Sequence, residues 1–535
     1  DSIDRLTSIT NNLGYQYRPY DNHSIINMTQ IYCDPTVLDC SSLPSSSWPS
    51  ATFSNYSLTA TNAEGETITF TEERDSVAHY FDPNGPATVI SVLEYLEMTT
   101  PEGVTMKVDY ALDQSDDYQS FTSIVVTKAG SNWTYTCTAS PDGTCSTMVV
   151  LAPNGEKRTY NFTYEGDLTS LIVDPIGSAA NLTTTITYTS DHLVETVTYP
   201  RGNQVKYSYD SVGRVTEVRQ IPLSGSSGPA HIVTSYTYDA CTTSNKKYCA
   251  KPRTFTNERG KITKYWYNSY HGGLTKTLYP DPGSGQDRLQ SRNTYSMDHA
   301  WYRTSTSSSM IRNNRIVYLP KDHIQCVAPS SNPEADCAAN TLNDRVVGYG
   351  YAAGSTSIGS NLRLTKKIAR AGDWSLYAEE NYSYTNWGFL EYVDGPLSGS
   401  NDRTYYEYDL MGRPTLVTGP DPDSAGLQQR AYSKTMYNGD GAIIASEKGR
   451  VNGVSGSRTF VPLLLTDFTF DTYGRLTKQK VIDANSASIS LVQTSYDVNS
   501  RPQCTALRMS SGTYSSLPSS ACTQSSYGYD RTTKT

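Results

Sequence analysis

The chain reads as an all-β protein, a repetitive β-hairpin array forming one spiralling sheet with almost no helix. Three observations predict this. The stretch "YSYDSVGRVTEVRQ" at 207–220 recurs along the chain, tyrosine is the dominant large residue, and the cysteines fall in close pairs across short loops.

The hairpin is legible in the first copy. Tyr207 and Tyr209 alternate with polar neighbours, as in a half-buried strand. Asp210 can accept hydrogen bonds from turn amides, and Gly213 can take a positive φ without a Cβ clash. After Arg214, the positions of Val215, Glu217 and Arg219 set the alternation of a return strand. Turn and strand chemistry accounts for these residues without a catalytic role.

Two further strong copies carry the same pattern. "YYEYDLMGRPTLVTG" from Tyr405 supplies Tyr406, Tyr408, Asp409, Gly412 and Arg413. "FTFDTYGRLTKQKV" supplies Phe468, Phe470, Asp471, Gly474 and Arg475. Weaker copies begin at Tyr160, Tyr265, Tyr382, Thr494 and Tyr527. Between copies, "YPRGNQVKY" (199–207) and "NERGKITKY" (257–265) place a glycine-centred turn before the next aromatic strand, so each unit is two strands and two turns. A period of this kind marks an array in which each hairpin buries its face against its neighbours.

The Tyr-x-Tyr-Asp-x-x-Gly-Arg-Leu-Thr pattern at 207–216, 406–415 and 468–477 resembles the YD-repeat, or Rhs, family: bacterial Rhs proteins, the C component of Tc toxins and the animal teneurins. The resemblance covers residues 156–535 well and residues 1–155 loosely. It implies a long β-sheet spiralling into a hollow shell or tube, often enclosing a C-terminal toxin. In that family an Asp-Pro-x-Gly motif ending the shell is linked to self-cleavage. "DPIG" at 174–177 is similar only on its surface, sits early and lacks the surrounding pattern, so that role is not carried over.

Composition agrees with a sheet built from aromatic rings. Tyrosine (42) far outnumbers phenylalanine (10), and nine methionines and six tryptophans cannot supply an ordinary core. A tyrosine ring buries apolar area while its hydroxyl reaches a polar partner, and cross-strand aromatic pairs add about 0.2–1 kcal/mol each. Arg214, Arg413 and Arg475 are expected to lie on neighbouring tyrosine faces. We expect one continuous body: a divergent N-terminal β region over 1–155, then the array over 156–535, open at both ends. "ETITFTEE", "TMKVDYAL" and "FTSIVVTKAG" read as strands of the first part, and "SSLPSSSWPS" (41–50) as a break. "ATVISVLEYLEM" (87–98) has a helical alternative, but its Val, Ile and Tyr favour a strand.

The ten cysteines form five local pairs: Cys33/Cys40, Cys137/Cys145, Cys241/Cys249, Cys326/Cys337 and Cys504/Cys522. Each brackets a Pro-, Gly-, Ser- or Asn-rich loop, so each is expected to staple a hairpin end by a disulfide, worth on the order of 3 kcal/mol in the chain-entropy account. That places the protein in an oxidising compartment, extracellular or on a cell surface. Zinc is the rival reading, but there is no CxxC pair and the histidines are scattered. Seven N-x-S/T sequons occur, about as many as chance gives in a chain so rich in Ser and Thr. The chain opens on "DSIDRLTSI", similar to the second half of a repeat, and stops inside another at "YGYDRTTKT", so it reads as a fragment.

A net charge of −9, with 44 basic residues spread rather than massed, argues against a nucleic-acid surface. No membrane-spanning run is present in the sequence. There is no GxSxG, HExxH or P-loop, and "GYGYAAG" (348–354) misses the dinucleotide fingerprint. The acidic turns "GPDPDSAG" (419–426) and "YPDPGSGQD" (279–287) fall short of a calcium ligand set and read as ordinary turns. We therefore expect no enzyme, cofactor or metal. Two functional readings remain. The first is a structural shell segment that contains or presents a C-terminal effector domain. The second is an extracellular structural or adhesive element that assembles with copies of itself or contacts surface glycans.

Overall fold

The computed structural model describes residues 9–10, 16–21, 25–30, 51–54, 58–62, 64–79, 88–112, 121–128, 130–139, 145–175, 181–223, 231–283, 286–302, 309–329, 331–357, 361–385, 388–424, 427–508, 517–518, 522 and 531–534. Among them are thirty-six strands and no helix. Each strand pairs antiparallel with the one before it and the one after it, so the chain is a single meander from Ile9 to Lys534. The ladder runs without a break through position 155, where Cys145–Leu151 pairs with Lys157–Phe162. The segment 87–98 lies in the strand Thr88–Thr99.

Because strands alternate in direction, turns alternate between the two long edges of this ribbon. The Asp-containing turns 210–214, 409–413, 471–475 and 497–501 all fall on one edge, here the motif edge. The turns 62–66, 100–104, 152–156, 199–203, 257–261 and 483–487 fall on the far edge.

Strand alternation sorts the side chains onto two faces. One face is rich in rings and aliphatics: Tyr207 stands opposite Val218, and Tyr236 opposite Phe255. On the other face Lys206 stands opposite Arg219 and Ser208 opposite Glu217. Deep burial is concentrated on this second face towards the far edge, where loops fold back over the sheet. Gln290 there is fully covered; its amide donates to the Ala335 carbonyl at 2.9 Å and its Oε1 accepts the Cys337 amide at 2.9 Å. Leu416, Tyr432 and Val451 form a buried cluster on the same side.

Candidate functional site

The recurring feature of the molecule is the motif-edge turn, and each of its residue types does one mechanical task. The Asp210 amide donates to the Arg214 carbonyl and the Gly213 amide to the Asp210 carbonyl, both at 3.0 Å, which closes a three-residue loop. Gly213 takes φ 83°, Gly412 76° and Gly474 72°, the left-handed region that such a loop requires. Asp210 Oδ1 accepts the amides of Val212 and Arg214 at 3.0 Å, while Oδ2 accepts Arg214 Nε at 2.6 Å. Asp409–Arg413, Asp471–Arg475 and Asp497–Arg501 repeat this lock at 2.6, 2.7 and 2.9 Å. Burial works against the Asp210 charge, yet Arg214's amide and side chain hold its carboxyl below the usual range.

The two aromatics of the motif have different surroundings. The first ones, Tyr207, Tyr406 and Phe468, face Val218, Val417 and Gln479 across the ladder. The second ones, Tyr209, Tyr408 and Phe470, stand at the hairpin end opposite Val215, Pro414 and Leu476. At this end twelve hairpins among the described residues carry a bulge, with one extra residue at the second place of the return strand. The expected plain alternation of Val215, Glu217 and Arg219 is thus broken once, at Thr216. Where threonine occupies the bulge its hydroxyl can lock it: Thr169, Thr275 and Thr477 donate to the carbonyls of Asn161, Trp266 and Thr469, each at 3.0 Å.

Several hairpins are tied to the preceding one by the tyrosine at their end. Tyr209 Oη donates to the Val194 carbonyl at 2.6 Å, Tyr188 to Leu168 at 2.9 Å, Tyr238 to Val215 at 2.8 Å and Tyr496 to Leu476 at 2.7 Å. The motif arginine then covers the same ring. Arg214 lies 4.6 Å from the Tyr238 centroid, Arg413 4.8 Å from Tyr437 and Arg475 4.9 Å from Tyr496. Desolvation in these stacks raises the tyrosine hydroxyl pKa, that of Tyr267 to about 12. Sequence reasoning placed the arginines on neighbouring rings but missed the hydroxyl-to-carbonyl bonds. Their only signal is that a tyrosine stands at most of these hairpin ends, where a phenylalanine, as at Phe162 and Phe470, would bury more.

The two edges meet. Leu410, in the turn after the twenty-eighth strand (Thr404–Tyr408), donates its amide to Glu64 Oε1 at 2.8 Å, in the turn after the fifth (Thr59–Thr61). The turn after the thirtieth strand (Arg430–Tyr437) meets the turn after the seventh (Thr88–Thr99): Thr100 Oγ1 and the Glu102 amide donate to Asp440 at 2.7 and 3.1 Å, and the Gly439 amide donates to Glu102 at 2.9 Å. Tyr473, after the thirty-second strand (Phe460–Phe470), fits over Gly130, after the ninth (Phe121–Lys128), so closely that a Cβ there would lie 2.6 Å from the tyrosine oxygen. Asn499, after the thirty-fourth strand (Ser488–Tyr496), accepts the Asn154 amide at 3.1 Å, after the eleventh (Cys145–Leu151). The offset is twenty-three strands each time, and a motif-edge turn always meets a far-edge turn. A ribbon whose opposite edges meet at a constant offset is a helical ramp, so the sheet spirals.

Four of the five cysteine pairs, Cys137/Cys145, Cys241/Cys249, Cys326/Cys337 and Cys504/Cys522, are joined as disulfides. Cys522 corrects the expectation that each pair staples a hairpin end. It lies in no strand, and the ladder partners of Cys504, in the thirty-fifth strand (Pro502–Arg508), are Ser495 and Lys534. Cys522, eighteen residues on, half-buried and at φ 52°, meets the fully covered Cys504 with Cα atoms 5.3 Å apart. This bond pins a loop residue onto the sheet instead of closing a turn. Cys33 and Cys40 lie outside the described residues, as do the break at 41–50 and Ile176 and Gly177 of the "DPIG" segment.

The 241/249 loop supplies carbonyls of Asp239 and Cys249 to the Arg214 guanidinium. The 326/337 loop reaches back over three strands, with Lys276 donating to the Glu334 carbonyl and Arg292 to the Cys337 carbonyl. Among the described residues no group of three His, Cys, Asp or Glu side chains could hold a metal ion, and no helix is long and apolar enough to cross a membrane.

No family profile matches the chain, and no curated protein matches it. Solved structures do. The crystal structure of TcdB2-TccC3-TEV is similar over 96% of this chain and 26% of its own, at 11% identity and a TM-score of 0.49. That of TcdB2-TccC3-Cdc42 is similar over 92% and 25%, at 12% identity and a TM-score of 0.48. A Photorhabdus luminescens Tc holotoxin pore is similar over 96% and 28%, at 12% identity and a TM-score of 0.32. The chain spans about a quarter of the length of these solved chains.

Proposed function

We propose that this chain is wall material: a segment of a hollow YD-repeat shell in a secreted or cell-surface protein, containing or presenting an effector domain attached C-terminal to the array. The observation that carries the reading is the seam between turn edges twenty-three strands apart. At about 4.8 Å per strand, one coil measures about 110 Å around and about 35 Å across. Inward side chains take about 5 Å of that on each side, half the face-to-face sheet spacing, which leaves a bore of about 25 Å, wide enough for extended or partly folded chain. The repeated residues hold turns, bulges and neighbouring hairpins, which is the work of a wall, and we assign the chain no reaction. Disulfides in loops on both edges suit service outside the cell.

The test uses the intact protein with its natural C-terminal continuation. Limited proteolysis is expected to spare the downstream domain while the array is folded and to digest it once the two are separated. Equal digestion in both states removes the containment reading. A second reading rests on a groove of roughly 280 Å³ on the aromatic face, lined by Trp133, Tyr135, Tyr160 and Arg158 among others. Stacking rings beside a guanidinium suit a glycan, and a blank glycan array removes that reading.

A further inference from the structure

We propose that a cavity roofed by the tip of one long hairpin is a binding site for a neutral carbohydrate. The hairpin is made of the thirty-first and thirty-second strands (Ile443–Val451 and Phe460–Phe470). A register shift between Lys448 and Gly449 leaves Leu463 as an extra residue, and this bulge bends the ribbon. Glycine suits the bend, because a Cβ on Gly449 would lie 2.8 Å from Cε1 of Tyr432. The tip, 452–459, folds back over the polar face of the sheet. There Arg458 reaches the twenty-eighth strand, and its Nη1 and Nη2 donate to the two carboxylate oxygens of Glu407, the second at 3.1 Å. Tyr432 packs edge-on against Phe460, centroids 4.9 Å apart, and holds the roof down.

Under the tip lies a cavity of roughly 550 Å³, lined by Glu391, Tyr405, Glu407, Val454, Ser455 and Arg458 among others. Its size is that of small-molecule sites, about 300–1,000 Å³. Tyr405 and Glu407 belong to the polar face, as Lys206 and Ser208 do in the first copy. At its motif-edge end the turn 409–413 is docked on Glu64 through the Leu410 amide, and the hairpin tip covers it from the far edge. Both ends of the cavity are thus closed by described residues.

The lining groups select the ligand. Glu407 keeps 44% of its side chain exposed beside Arg458, and a guanidinium carries more N–H donors than one carboxylate takes. Glu391, held by the Ser383 hydroxyl at 3.0 Å, adds a second carboxylate. Ser455 adds a hydroxyl that both donates and accepts. An organic anion would meet two carboxylates, an organic cation would meet Arg458, and an apolar ligand would strip water from all three. A neutral polyol suits both kinds of group: its hydroxyls donate to Glu391 and Glu407 and accept from Arg458. Tyr405, set against Tyr392 with centroids 5.6 Å apart, supplies an aromatic ring for the C–H face of a sugar. This inference rests on the glycan-contacting reading and adds to it a site on the face opposite the Trp133 groove; the shell reading does not enter it.

The test is an array of neutral, sialylated and sulfated glycans probed with the intact chain, then calorimetric titration with the strongest neutral oligosaccharide found. Neutral glycans are expected to bind, and the sialylated and sulfated ones to bind clearly more weakly. Glu391→Gln and Tyr405→Ala are each expected to weaken binding about tenfold, while Trp133→Ala leaves it unchanged. If Tyr405→Ala disturbs folding by circular dichroism, Glu391→Gln, at an exposed residue, carries the comparison alone. Binding of charged glycans alone, or neutral binding that survives Glu391→Gln and falls with Trp133→Ala, overturns the proposal and leaves the glycan reading standing. A blank array removes both.

Discussion

The Thr100 hydroxyl donates to Asp440 across 340 residues of chain, at 2.7 Å, and the same carboxylate accepts the Glu102 amide. Both groups are exposed, so the pair is a coil-to-coil clip whose stabilisation is modest. We predict that Asp440→Ala lowers local stability by about 1 kcal/mol. Amide exchange should quicken in the turns 100–104 and 438–442 together, since they share the clip, and stay unchanged in 204–221. Faster exchange in 438–442 alone would mean that the two coils do not lock at this point.

Tyr207 and Tyr209 are two positions apart in one strand and differ in what a lost hydroxyl costs. Tyr209 Oη ties its hairpin to the Val194 carbonyl, whereas Tyr207 contributes its ring opposite Val218. Tyr209→Phe keeps the ring and leaves a carbonyl short of its donor, a cost of about 1 kcal/mol, while Tyr207→Phe is expected to be close to neutral. Because an array melts in pieces, the difference is best read as local exchange in 194–198 rather than as one global midpoint. Equal effects of the two substitutions would remove the tyrosine tie as a link between hairpins.

Gly412 and Gly213 occupy the same place in two copies, at φ 76° and 83°, so alanine is strained by about 1 kcal/mol at both. Their surroundings differ. A Cβ on Gly412 would lie 2.6 Å from Cζ of Phe389, which stacks on Tyr408, whereas on Gly213 the nearest atom is Leu193 Cδ1 at 3.4 Å. Gly412→Ala is therefore expected to destabilise its hairpin clearly more than Gly213→Ala, with loss of protection spreading to 388–394. Equal losses in urea unfolding would show that the Phe389 ring yields freely.

These three cases mark how far the sequence carries. Asp210, Gly213 and Arg214 were legible as a turn because their partners lie within four positions, and the alternation around them gave the strand. The bulge at Thr216 and the tyrosine ties were not legible, since each acceptor is a backbone carbonyl and every residue type carries one. The seam was least legible of all. Thr100 and Asp440 become neighbours only through the accumulated twist and curvature of twenty-three strands, a sum over many bulges that no local pattern encodes. The four described disulfides were legible as pairs because their partners are close in sequence. That Cys522 meets Cys504 from off the ladder was not, since a separation of eighteen residues leaves the path of the loop open.

His192 and Asp167 join adjacent motif-edge turns, Nδ1 to Oδ2 at 2.6 Å, and this bond together with the carboxylate's charge raises the imidazole pKa above its ordinary 6.5. The sign follows from that direction. Folding binds the proton more tightly than the unfolded chain does, so the pair's contribution is complete below about pH 6.5 and is lost as pH rises through the folded-state value. An NMR titration of the His192 ring is expected to give a midpoint above that of the unfolded chain, and Asp167→Asn should return it to the ordinary range. His192 also sits at φ 59°, where Gly213, Gly412 and Gly474 stand in three other copies of the turn. His192→Gly should accordingly abolish the pH dependence of exchange in 189–193 and leave the turn at least as well protected at a pH well above the His192 midpoint found in that titration, where the imidazole is neutral and only its backbone strain remains. A His192 midpoint at or below the unfolded value, or pH-dependent exchange that survives in His192→Gly, would show that the two turns are not coupled through this pair.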